Sequence, residues 1–506
     1  MQRVQRRFVV GAGPTGLMLA AELALAGVAV RVVERQAEPS GQSRGGGVNA
    51  RTAEVFAMRG LMADMAARSI RREVVGAHFA GLPVGLDVRP WRTRYPGGAL
   101  IPQDRIESVL ENRLAELGVT VRRATSVVEM DTSDDGVTVT LDDGSSIQGQ
   151  YLVACDGAHS TIRSLTGAEF PGRPGTMKAV TADIELTARS VTVPTTVEHI
   201  SRLVKAGGDY WMMLHPLYGP GEENGLYRVV FGGPEQQTLP RSTPVTAEEV
   251  SRALVAVHGP DTRIGRLRWG TRFTDATRQL ARYRHGRVLF AGDAAHIHSP
   301  LGGQGLNLGV QDAMNLGWKL AAHVHGTAPE GLLDTYHDER HPVAARVLTV
   351  TQAQRAVMPP RDPDAVALRE ILTEMVRLPD TNRYLAGLMS GLDIRYPLGS
   401  GEPLVGERMP DLSLRLADGT VTQVSALLRP GRAVLLDLAA EGPDVSGVDR
   451  VVAEPVPSDI GVETGAAPGV ERILIRPDGY VSWVGSGDSM VVPWAETSRL
   501  PANTWV

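Results

Sequence analysis

Three glycines near the N-terminus have the spacing of a turn that binds a diphosphate. Gly11, Gly13 and Gly16 follow the apolar run at 8–10 in the pattern Gly-x-Gly-x-x-Gly. In a strand–turn–helix unit, Gly11 would allow the tight turn and Gly13 would let the backbone approach a pyrophosphate. Gly16 would let the helix pack closely on the strand. The spacing therefore predicts a nucleotide-binding turn.

An acidic residue follows at the distance that such a turn requires. Glu34 ends the apolar run at 28–33, where its carboxylate could accept hydrogen bonds from both hydroxyls of a ribose. Backbone N–H groups near Pro14, Thr15 and Gly16, at the helix start, would hold the pyrophosphate. The order strand, turn, helix, strand and acid argues against a chance glycine turn.

Two later apolar runs also end in an aspartate beside a glycine. These pairs are Asp156-Gly157 and Gly292-Asp293. Ligands of open α/β sheets bind at the carboxyl ends of the strands, so both aspartates are expected there. Asp293 would accept a hydrogen bond from a ribityl hydroxyl. Together with the first turn, these stretches predict that one adenine dinucleotide, FAD, organises most of residues 1–340.

A glycine-rich run from Pro300 to Asn307 opens a helix that is predicted to extend to Ala322. Its N-terminus would present backbone N–H groups and the positive end of the helix dipole. A reduced flavin is anionic around N1 and O2, which this helix start would stabilise. The predicted FAD contacts are Gly11, Gly13, Pro14, Thr15, Gly16, Glu34, Arg35, Gln42, Ser43, Arg44, Gln103, Asp156, Gly157, Gly292, Asp293, Pro300, Gly303, Gly305, Leu306 and Asn307.

Two of these candidates have equally plain alternative interpretations. Arg44 could bind phosphate oxygens in a bidentate way, or it could be a solvated loop charge. Gln103 could reach the cofactor through its amide, or it could simply be the first residue of a helix. The spacing does not separate these alternatives.

The composition excludes several other classes of protein. The 506 residues suggest roughly three domains, and the net charge of −5 gives no general attraction to nucleic acid or membrane. Cys155 is the single cysteine, so no disulfide framework, dithiol pair or zinc site is predicted, and we expect no metal. No signal peptide is recognised, and Glu22 and Arg31 interrupt the apolar stretch 17–33. We therefore expect a cytoplasmic protein.

A wider set of residues resembles a known enzyme family. The set is Gly11 to Gly16, Glu34, Ser43-Arg44, Ala50-Arg51-Thr52, Pro102-Gln103, Asp156-Gly157, Arg163, Gly292-Asp293, His296 to Asn307, Asp312 to Leu320 and Tyr336 to Arg340. The chain resembles class A FAD-dependent aromatic hydroxylases of the para-hydroxybenzoate hydroxylase type over essentially its whole length. The long C-terminal tail makes it most similar to the polyketide-tailoring monooxygenases of angucycline and anthracycline pathways.

The resemblance implies an NADPH-consuming monooxygenase of antibiotic biosynthesis. In this family NADPH binds transiently and reduces FAD, which then forms a C4a-hydroperoxide with O2 and hydroxylates an electron-rich ring. The implied partners are O2 and a polycyclic aromatic polyketide, and the implied state is a monomer or homodimer. The family also moves its flavin, and the glycines at 45–47 would make the adjacent loop permissive.

The predicted fold class is α/β, with an α+β substrate domain. A discontinuous Rossmann-like FAD-binding domain of the GR2 type is expected at 1–75, 101–170 and 281–340. Within it, residues 119–124 and 137–141 are predicted to form two strands of a hairpin, because a turn and polar residues surround them.

The remaining residues are assigned to three further parts. A mainly antiparallel substrate domain is expected at 76–100 and 171–280, where apolar and polar residues alternate. Residues 341–397 are predicted to be a helical linker. The short strands within 398–506 resemble a thioredoxin-like domain, which has no redox cysteines.

Aromatic and methionine side chains in the predicted substrate domain suit a flat polycyclic ligand. The candidates are Phe79, Trp91, Tyr95, Tyr210, Trp211, Met213 and Phe231, although each alone would serve equally well in a core. No catalytic base stands out. His78 or His215 could ionise a substrate phenol or be structural, and Arg51 could face an enolate or serve packing or phosphate binding.

Other activities are compatible with the same residues. A Baeyer–Villiger oxygen insertion next to a ketone would differ only in which substrate atom faces the oxygen donor. A flavoprotein reductase would consume NADPH without placing oxygen in a product. A non-catalytic FAD protein would be yellow, and no aromatic compound would accelerate its bleaching. The Gly-Trp-x-Trp-x-Ile-Pro segment of flavin halogenases is absent from the sequence, which argues against a halogenase.

Overall fold

The computed structural model describes most of the chain. The described ranges are 6–39, 41, 45–70, 77–217, 225–358, 363–399, 401–440, 442–445, 447–456 and 470–486. Gln42, Ser43 and Arg44 lie outside the described residues, so their FAD contacts stay predictions.

Within these ranges the chain forms both helices and strands, which are numbered here in chain order. The helices are α1 (Pro14–Leu25), α2 (Ala50–Ala57), α3 (Met62–Ala67), α4 (Gln103–Glu116), α5 (Thr161–Thr166), α6 (Ile200–Leu203), α7 (Pro234–Thr238), α8 (Ala247–His258), α9 (Gln304–Val324), α10 (Thr335–Val357), α11 (Pro363–Arg377), α12 (Pro379–Ser390) and α13 (Val424–Leu427). The strands are β1 (Arg6–Val10), β2 (Val30–Val33), β3 (Val121–Arg122), β4 (Val127–Thr132), β5 (Val137–Leu141), β6 (Ser146–Ala154), β7 (Gly172–Arg173), β8 (Lys178–Ala188), β9 (Val204–Gly207), β10 (Tyr210–Pro216), β11 (Leu226–Gly232), β12 (Arg263–Thr274), β13 (Thr277–Gln279), β14 (Arg284–His285), β15 (Val288–Phe290), β16 (His296–Ile297), β17 (Ser413–Leu416), β18 (Val421–Gln423), β19 (Ala433–Asp437), β20 (Val448–Pro455), β21 (Arg472–Ile475) and β22 (Val481–Gly485).

The first sheet has a parallel centre that is buried on both faces. Its strands follow the order β14-β15-β6-β1-β2-β3, with β5 and β4 attached beside β6. Phe8, Val9, Leu152 and Leu289 are fully buried in this centre. Burial on both faces explains why these strands are continuous apolar runs in the sequence rather than alternating ones.

The register of this sheet brings the ends of three strands together. Val10 at the end of β1 pairs with Ala154 at the end of β6, and Phe290 at the end of β15 pairs with the same Ala154. The strands are parallel, so the loops that follow them leave from one edge of the sheet. The loops beginning at Gly11, Cys155 and Ala291 are therefore neighbours.

Two helices cross closely at this edge. A Cβ placed on Gly309 of α9 would lie 2.3 Å from Thr15 Oγ1 in the first turn of α1. A Cβ placed on Gly292 would lie 2.6 Å from the same hydroxyl oxygen. Both glycines are thus needed for the close approach of α1, α9 and the loop after β15.

The second sheet is antiparallel, in the order β12-β8-β11-β10-β9. One of its faces packs on α8 and forms a separate core that includes Ile184, Met212, Val229 and Leu254. Side chains alternate across a strand, so the neighbouring residues of each strand form the opposite face. A small third sheet, β16-β13-β7, joins the end of β12 to the loop after Asp293.

Three long helices and a C-terminal sheet complete the described residues. Helices α10 to α12 occupy the stretch that was predicted to be a helical linker, although α10 begins before the predicted boundary at 340. The C-terminal strands follow the order β18-β17-β20-β19-β21-β22, with β19 and β20 parallel. No helix among the described residues has the length and apolar character needed to cross a bilayer.

The predicted hairpin of residues 119–124 with 137–141 is wrong. Residues Val121–Arg122 instead extend the parallel sheet beside β2, and β4 is the antiparallel partner of β5. The error has a physical cause, because the pattern of β4 is half-exposed and polar and carries little apolar signal. The fold of the site is unaffected by this exchange.

Candidate functional site

The three glycines of the first turn have distinct surroundings. Gly11 has a φ of +103°, and a Cβ there would lie 2.3 Å from the carbonyl oxygen of Cys155. A Cβ on Gly16 would lie 2.0 Å from the carbonyl oxygen of Gly11. A Cβ on Gly13 would meet no described atom within 4 Å. Gly11 and Gly16 are thus required for the close packing of the backbone in this turn, whereas Gly13 leaves open space at the start of α1.

Glu34 is held beside this turn by backbone donors. Its Oε2 accepts a hydrogen bond from the N–H of Ala12 at 2.8 Å, and its Oε1 accepts one from the N–H of Gln36 at 2.9 Å. The side chain is half-buried, and Arg35 beside it is exposed. Carboxylate oxygens have more than one acceptor position, so Glu34 can also receive hydroxyl groups of a ligand.

Asp156 lies at the end of β6, next to the first turn. Its Oδ2 accepts from the N–H of Ile162 at 3.1 Å, while its Oδ1 is buried without a hydrogen-bond partner among the described residues. Burial raises the pKa of this carboxyl group. Gly157, with a φ of +82°, turns the chain away and leaves the space above it open.

Arg163 ties two of the three strand ends together. Its Nη1 donates to the carbonyl oxygen of Ala294 at 3.0 Å, and its Nη2 donates to that of Ala158 at 2.7 Å. The guanidinium also lies 3.9 Å from the ring centroid of Phe170. These contacts fix the loop after β6 against the loop after β15.

Asp293 and His298 converge on one side of Gly305. A Cβ on Gly305 would lie 3.8 Å from Asp293 Oδ1 and 3.6 Å from His298 Nε2. His298 Nδ1 lies 2.7 Å from the carbonyl oxygen of Ser299, so Nδ1 carries the proton and Nε2 is an acceptor. This Nε2 is buried and has no partner among the described residues, and burial lowers the pKa of the imidazole. Asp293 is exposed.

Helix α9 begins beside these acceptors with no side-chain cap. Its first turn follows Gly302 and Gly303, whose φ values are +77° and +64°. A Cβ on Gly303 would meet no described atom within 4 Å. Pro300 is exposed, and Leu306 packs against Gly45. The uncapped N–H groups and the helix dipole together favour an anionic group at this position.

The loop at 45–47 is held from two sides. Gln103 Oε1 accepts from the N–H of Gly45 at 3.0 Å, and Gln103 Nε2 donates to Glu107 Oε1 at 2.8 Å. Asn307 Nδ2 donates to the carbonyl oxygen of Gly47 at 3.3 Å. Burial raises the pKa of Glu107 to about 7. Gly45 and Gly47 are thus tied to α4 and α9 in this arrangement, despite their permissive backbone.

A buried carboxylate supports the loop after β15 from behind. Asp312 Oδ2 accepts from the N–H of Gly292 at 3.2 Å and lies 2.6 Å from His296 Nε2. Its Oδ1 accepts from Arg340 Nε at 2.8 Å. Burial opposes ionisation of Asp312, but Arg340 and His296 lower its pKa, so the group stays anionic.

The predicted substrate residues do not lie together. Phe231 is fully buried in the core between the second sheet and α8, and Tyr210 packs against that core. Trp211 and Met213 alternate with Met212, which places them on the opposite face of the sheet. The other candidates lie elsewhere. Phe79 and Trp91 pack among the helices near Met389, and Tyr95 packs against the core of the first sheet.

The predicted catalytic candidates also differ in their surroundings. Arg51 is buried, and its Nη1 forms a 3.0 Å ion pair with Glu54. His78 lies beside His199, at 6.3 Å between ring centroids. Its pKa is lowered to about 4, mainly by burial and to a lesser extent by the charge of His199. His215 is on the face of the second sheet that carries Met213. Its pKa is lowered to about 4, chiefly by burial.

Sequence reasoning missed several residues at this site. His298 lies within the stretch His296 to Asn307 that carries the family resemblance, but it was not named as a site residue, because the sequence does not show which side chains of that stretch turn towards the helix start. Asn49 and Glu107 were missed because a single polar residue beside a helix gives no signal of its own. Asn49 alone could have been noticed, because Asn is a favoured residue at the N-cap of a helix. Its side chain accepts a hydrogen bond from the N–H of Thr52, three residues later.

The residues present fit an adenine dinucleotide with a flavin. Space is open at Gly13 and at Gly303. Buried acceptors without partners among the described residues stand at Asp156 Oδ1 and His298 Nε2, and Asp293 is exposed beside the latter. These features lie at one edge of the first sheet, where the strand ends converge. Among the described residues no group of three metal-ligating side chains is found.

Comparison with family models places this site in a known context. Residues 6–351 match the model described as FAD binding domain, and residues 402–503 match the model described as aromatic-ring hydroxylase, C-terminal. The first match spans all three strand ends of the site. The second coincides with the C-terminal strands.

Individual relatives match over nearly the whole chain. A 12-dehydrotetracycline 5-monooxygenase/anhydrotetracycline 6-monooxygenase of Streptomyces rimosus is 44% identical over 95% of this chain and 95% of its own length. A rifampicin monooxygenase of Streptomyces venezuelae is 40% identical over 98% of this chain and 97% of its own. The crystal structure of an aromatic hydroxylase from angucycline biosynthesis has a TM-score of 0.85 at 37% identity, covering 98% of this chain and 100% of that one.

Proposed function

This chain belongs to the family of FAD-dependent aromatic-ring hydroxylases, and from that premise we propose that it hydroxylates a polycyclic aromatic polyketide. The chain is an FAD-dependent monooxygenase. The observation that carries the proposal is the meeting of the three strand ends with the start of α9 at one sheet edge. The identity of the substrate class is supported by the names of the relatives.

The cofactor contributes the redox chemistry, since a flavin reduced by NADPH can activate O2. The chain contributes binding and orientation. Gly13 and the start of α1 would receive the pyrophosphate, and Glu34 would receive the adenosine ribose. Asp293 and His298 would accept hydrogen bonds from the ribityl chain. The uncapped start of α9 would stabilise negative charge on the flavin ring.

The face of the second sheet opposite α8 is the surface that we assign to the substrate. Asp183, Arg228 and His215 are buried at its centre, and Trp211 and Met213 are partly exposed. In register across the strands, Trp269 stands beside Asp183, Asp183 beside Arg228, and Arg228 beside His215. Trp211 and Met213 share this face. An aromatic ring and a thioether suit a flat aromatic ligand. The small sheet β16-β13-β7 connects this surface to the loop after Asp293.

His215 is the residue that we assign to the substrate hydroxyl. Its Nδ1 lies 3.1 Å from the carbonyl oxygen of Pro216, so Nε2 carries the lone pair. Because burial lowers its pKa to about 4, the ring is neutral at physiological pH and can accept a phenol O–H. Arg228 beside it cannot serve, because a protonated guanidinium has no acceptor for a phenol O–H. Its Nε and Nη2 donate to Asp183 at 2.7 and 2.8 Å.

Arg51 and His78 receive no part in the reaction. Arg51 is occupied by Glu54 and by a backbone carbonyl group. His78 lies 6.3 Å from His199 between ring centroids, its Nδ1 accepts from the N–H of Gly81 at 3.4 Å, and it is on no strand of the second sheet. Phe231 and Tyr210 likewise belong to the core with α8, so we leave them out of the substrate surface.

For the finer architecture we propose the division expected from the sequence. The parallel first sheet with the glycine turn supports a Rossmann-like FAD-binding domain of the GR2 type. The second sheet supports a substrate domain within 171–280. The mixed C-terminal sheet supports a thioredoxin-like domain, which without cysteine can perform no dithiol chemistry.

The experiment that tests the function supplies FAD, NADPH and oxygen-18 gas with a panel of tricyclic and tetracyclic phenols and quinones. Mass spectrometry of the products is expected to show one labelled oxygen on a ring carbon. A labelled lactone oxygen would instead identify a Baeyer–Villiger insertion. NADPH consumption that no member of the panel accelerates, with no label in any product, would favour a reductase and contradict the proposal.

A further inference from the structure

A buried arginine joins the C-terminal sheet to the loop beside the proposed flavin site. We propose that Arg51 is a positioning residue, which fixes the loop at 45–49 relative to the C-terminal turn, defined as residues 477–480. The inference rests on the proposed function, because it assigns Arg51 a role toward bound FAD. It gives the C-terminal segment a part in catalysis that needs no cysteine chemistry.

The first step of the argument is the contact between Arg51 and the C-terminal turn. Arg51 Nη2 donates to the carbonyl oxygen of Asp478 at 2.8 Å, and the guanidinium lies 4.7 Å from the ring centroid of Tyr480. Gly479 has a φ of +81°, and a Cβ there would lie 2.5 Å from Met58 Sδ, just after α2. The turn is therefore packed against both ends of α2.

The second step is that Arg51 has no freedom to leave this position. Its side chain is 2% exposed and forms a 3.0 Å ion pair with Glu54, whose other oxygen accepts from Arg408 Nη1 at 2.9 Å. A buried charge that loses its partners is strongly unfavourable. Arg51, Glu54 and Arg408 therefore form a fixed connection between α2 and the C-terminal residues.

The third step follows α2 to its other contacts. Asn49 caps the helix, since its Oδ1 accepts from the N–H of Thr52 at 2.9 Å. The N–H of Asn49 donates to Asn307 Oδ1 at 2.8 Å. Thr52 Oγ1 accepts from Gln311 Nε2 at 3.2 Å. The first turn of α2 is thus bonded to α9 on one side and, through Arg51, to the C-terminal turn on the other.

The last step reaches the cofactor loop. Asn307 Nδ2 donates to the carbonyl oxygen of Gly47 at 3.3 Å and to that of Gly303 at 2.8 Å. One series of contacts therefore runs from Asp478 through Arg51, Asn49 and Asn307 to Gly47. A change at Arg51 is expected to move this loop and the start of α9 together, and hence the position that the flavin ring can take.

The test compares two arginines of similar burial. Arg59 is 6% exposed, forms a buried pair with Glu22, and donates to the carbonyl oxygens of Leu428 and Pro477 at 2.8 and 3.0 Å. It therefore also joins the C-terminal residues to α1, and none of its hydrogen bonds among the described residues reaches the capped start of α2. Arg59→Met is the matched control for Arg51→Met.

For FAD-loaded Arg51→Met we expect a shifted visible flavin spectrum, and most of the NADPH should be oxidised without product. Product formation should fall on the order of 10²-fold, as for other displacements of about 1 Å at a reactive centre. Arg59→Met should lower the melting temperature to a similar extent, yet keep the wild-type spectrum and the wild-type ratio of product to NADPH. Arg51→Lys should recover part of this ratio.

The inference is overturned if Arg51→Met and Arg59→Met have the same spectrum and the same ratio of product to NADPH. If Arg51→Met does not accumulate as folded protein, Arg51→Lys and Gly479→Ala are compared with Arg59→Met by the same two measurements. The proposed function fails separately, when the wild-type protein takes up no FAD or yields no product. A wild-type enzyme that works, with variants that match their control, contradicts only the role of Arg51.

Discussion

Asp293 Oδ1 and His298 Nε2 stand on the same side of α9, at 3.8 and 3.6 Å from the point that a Cβ on Gly305 would occupy. Both atoms are hydrogen-bond acceptors. A flexible chain that carries several hydroxyl groups, such as the ribityl chain of FAD, offers the donors that this pair lacks. The pair therefore leads directly to a test of cofactor binding.

Replacing Asp293 with Ala is expected to weaken FAD binding. The loss should be roughly 1–3 kcal/mol, because a ribityl hydroxyl would be left without its acceptor. Asp293 is exposed in the absence of a ligand, so the melting temperature of the FAD-free protein should change little. Fluorescence titration with FAD measures the effect, and Asp293→Asn, which keeps an acceptor oxygen, should lose less. Wild-type affinity in Asp293→Ala would refute this assignment.

A substitution in the first glycine turn should change FAD affinity without changing the stability of the FAD-free protein. Gly13→Ala should leave the FAD-free protein as stable as the wild type, because the added Cβ meets no described atom within 4 Å. FAD affinity should nevertheless fall by at least about tenfold, since the methyl group would occupy the path of the pyrophosphate. Calorimetry without cofactor and titration with cofactor give the two values.

Gly16→Ala is the matched control for that experiment. Its Cβ would lie 2.0 Å from the carbonyl oxygen of Gly11, so the fold itself must shift and the FAD-free protein should melt at a lower temperature. Should Gly13→Ala also melt early, or bind FAD as the wild type does, the open space at Gly13 would not be the pyrophosphate site.

Local patterns were sufficient to predict the cofactor-binding parts of the fold. The runs ending at Val10, Ala154 and Ala291 are short, apolar and followed within two residues by glycine or aspartate. Such runs indicate buried parallel strands. The substrate surface could not be predicted in this way. Phe231 and Met213 are both apolar residues of one hairpin, and only the strand register assigns them to opposite faces. Likewise, nothing near Arg51 in the sequence indicates its contact with Asp478, which is formed by distant segments.

A buried carboxylate predicts how stability changes in acid. Burial opposes the charge of Glu339, but Arg476 and Lys319 lower its pKa from 4.5 to about 2. The folded state therefore holds this proton less tightly than the unfolded state does. The contribution is fully present above pH 4.5 and is lost as the pH falls towards 2, on the order of 3 kcal/mol in total.

Urea unfolding of the wild type and of Glu339→Gln across this pH range measures that contribution. The difference between their free energies of unfolding should shrink as the pH falls. Glu330→Gln, at an exposed position, is the control and should follow the wild type throughout. A difference for Glu339→Gln that stays constant with pH would show that Glu339 does not titrate as the ion pairs require.

Glu107 should show the opposite dependence. Burial raises its pKa from 4.5 to about 7, so the folded state holds the proton more tightly than the unfolded state. Its contribution is present below pH 4.5 and is lost as the pH rises through 7, roughly 3 kcal/mol in total. Glu107→Gln should remove this slope, whereas the exposed Glu116→Gln should keep it. Parallel slopes in wild type and Glu107→Gln would contradict the prediction.

The central claim is that this chain uses a bound flavin to place oxygen on an aromatic ring. The most direct measurement follows the visible flavin spectrum of the purified protein during titration with FAD, and then during addition of NADPH with and without a polycyclic phenol under oxygen-18. The account predicts one FAD per chain, bleaching that the phenol accelerates, and one labelled oxygen on the ring. A protein that takes up no FAD, or that oxidises NADPH and never labels an aromatic product, would contradict it.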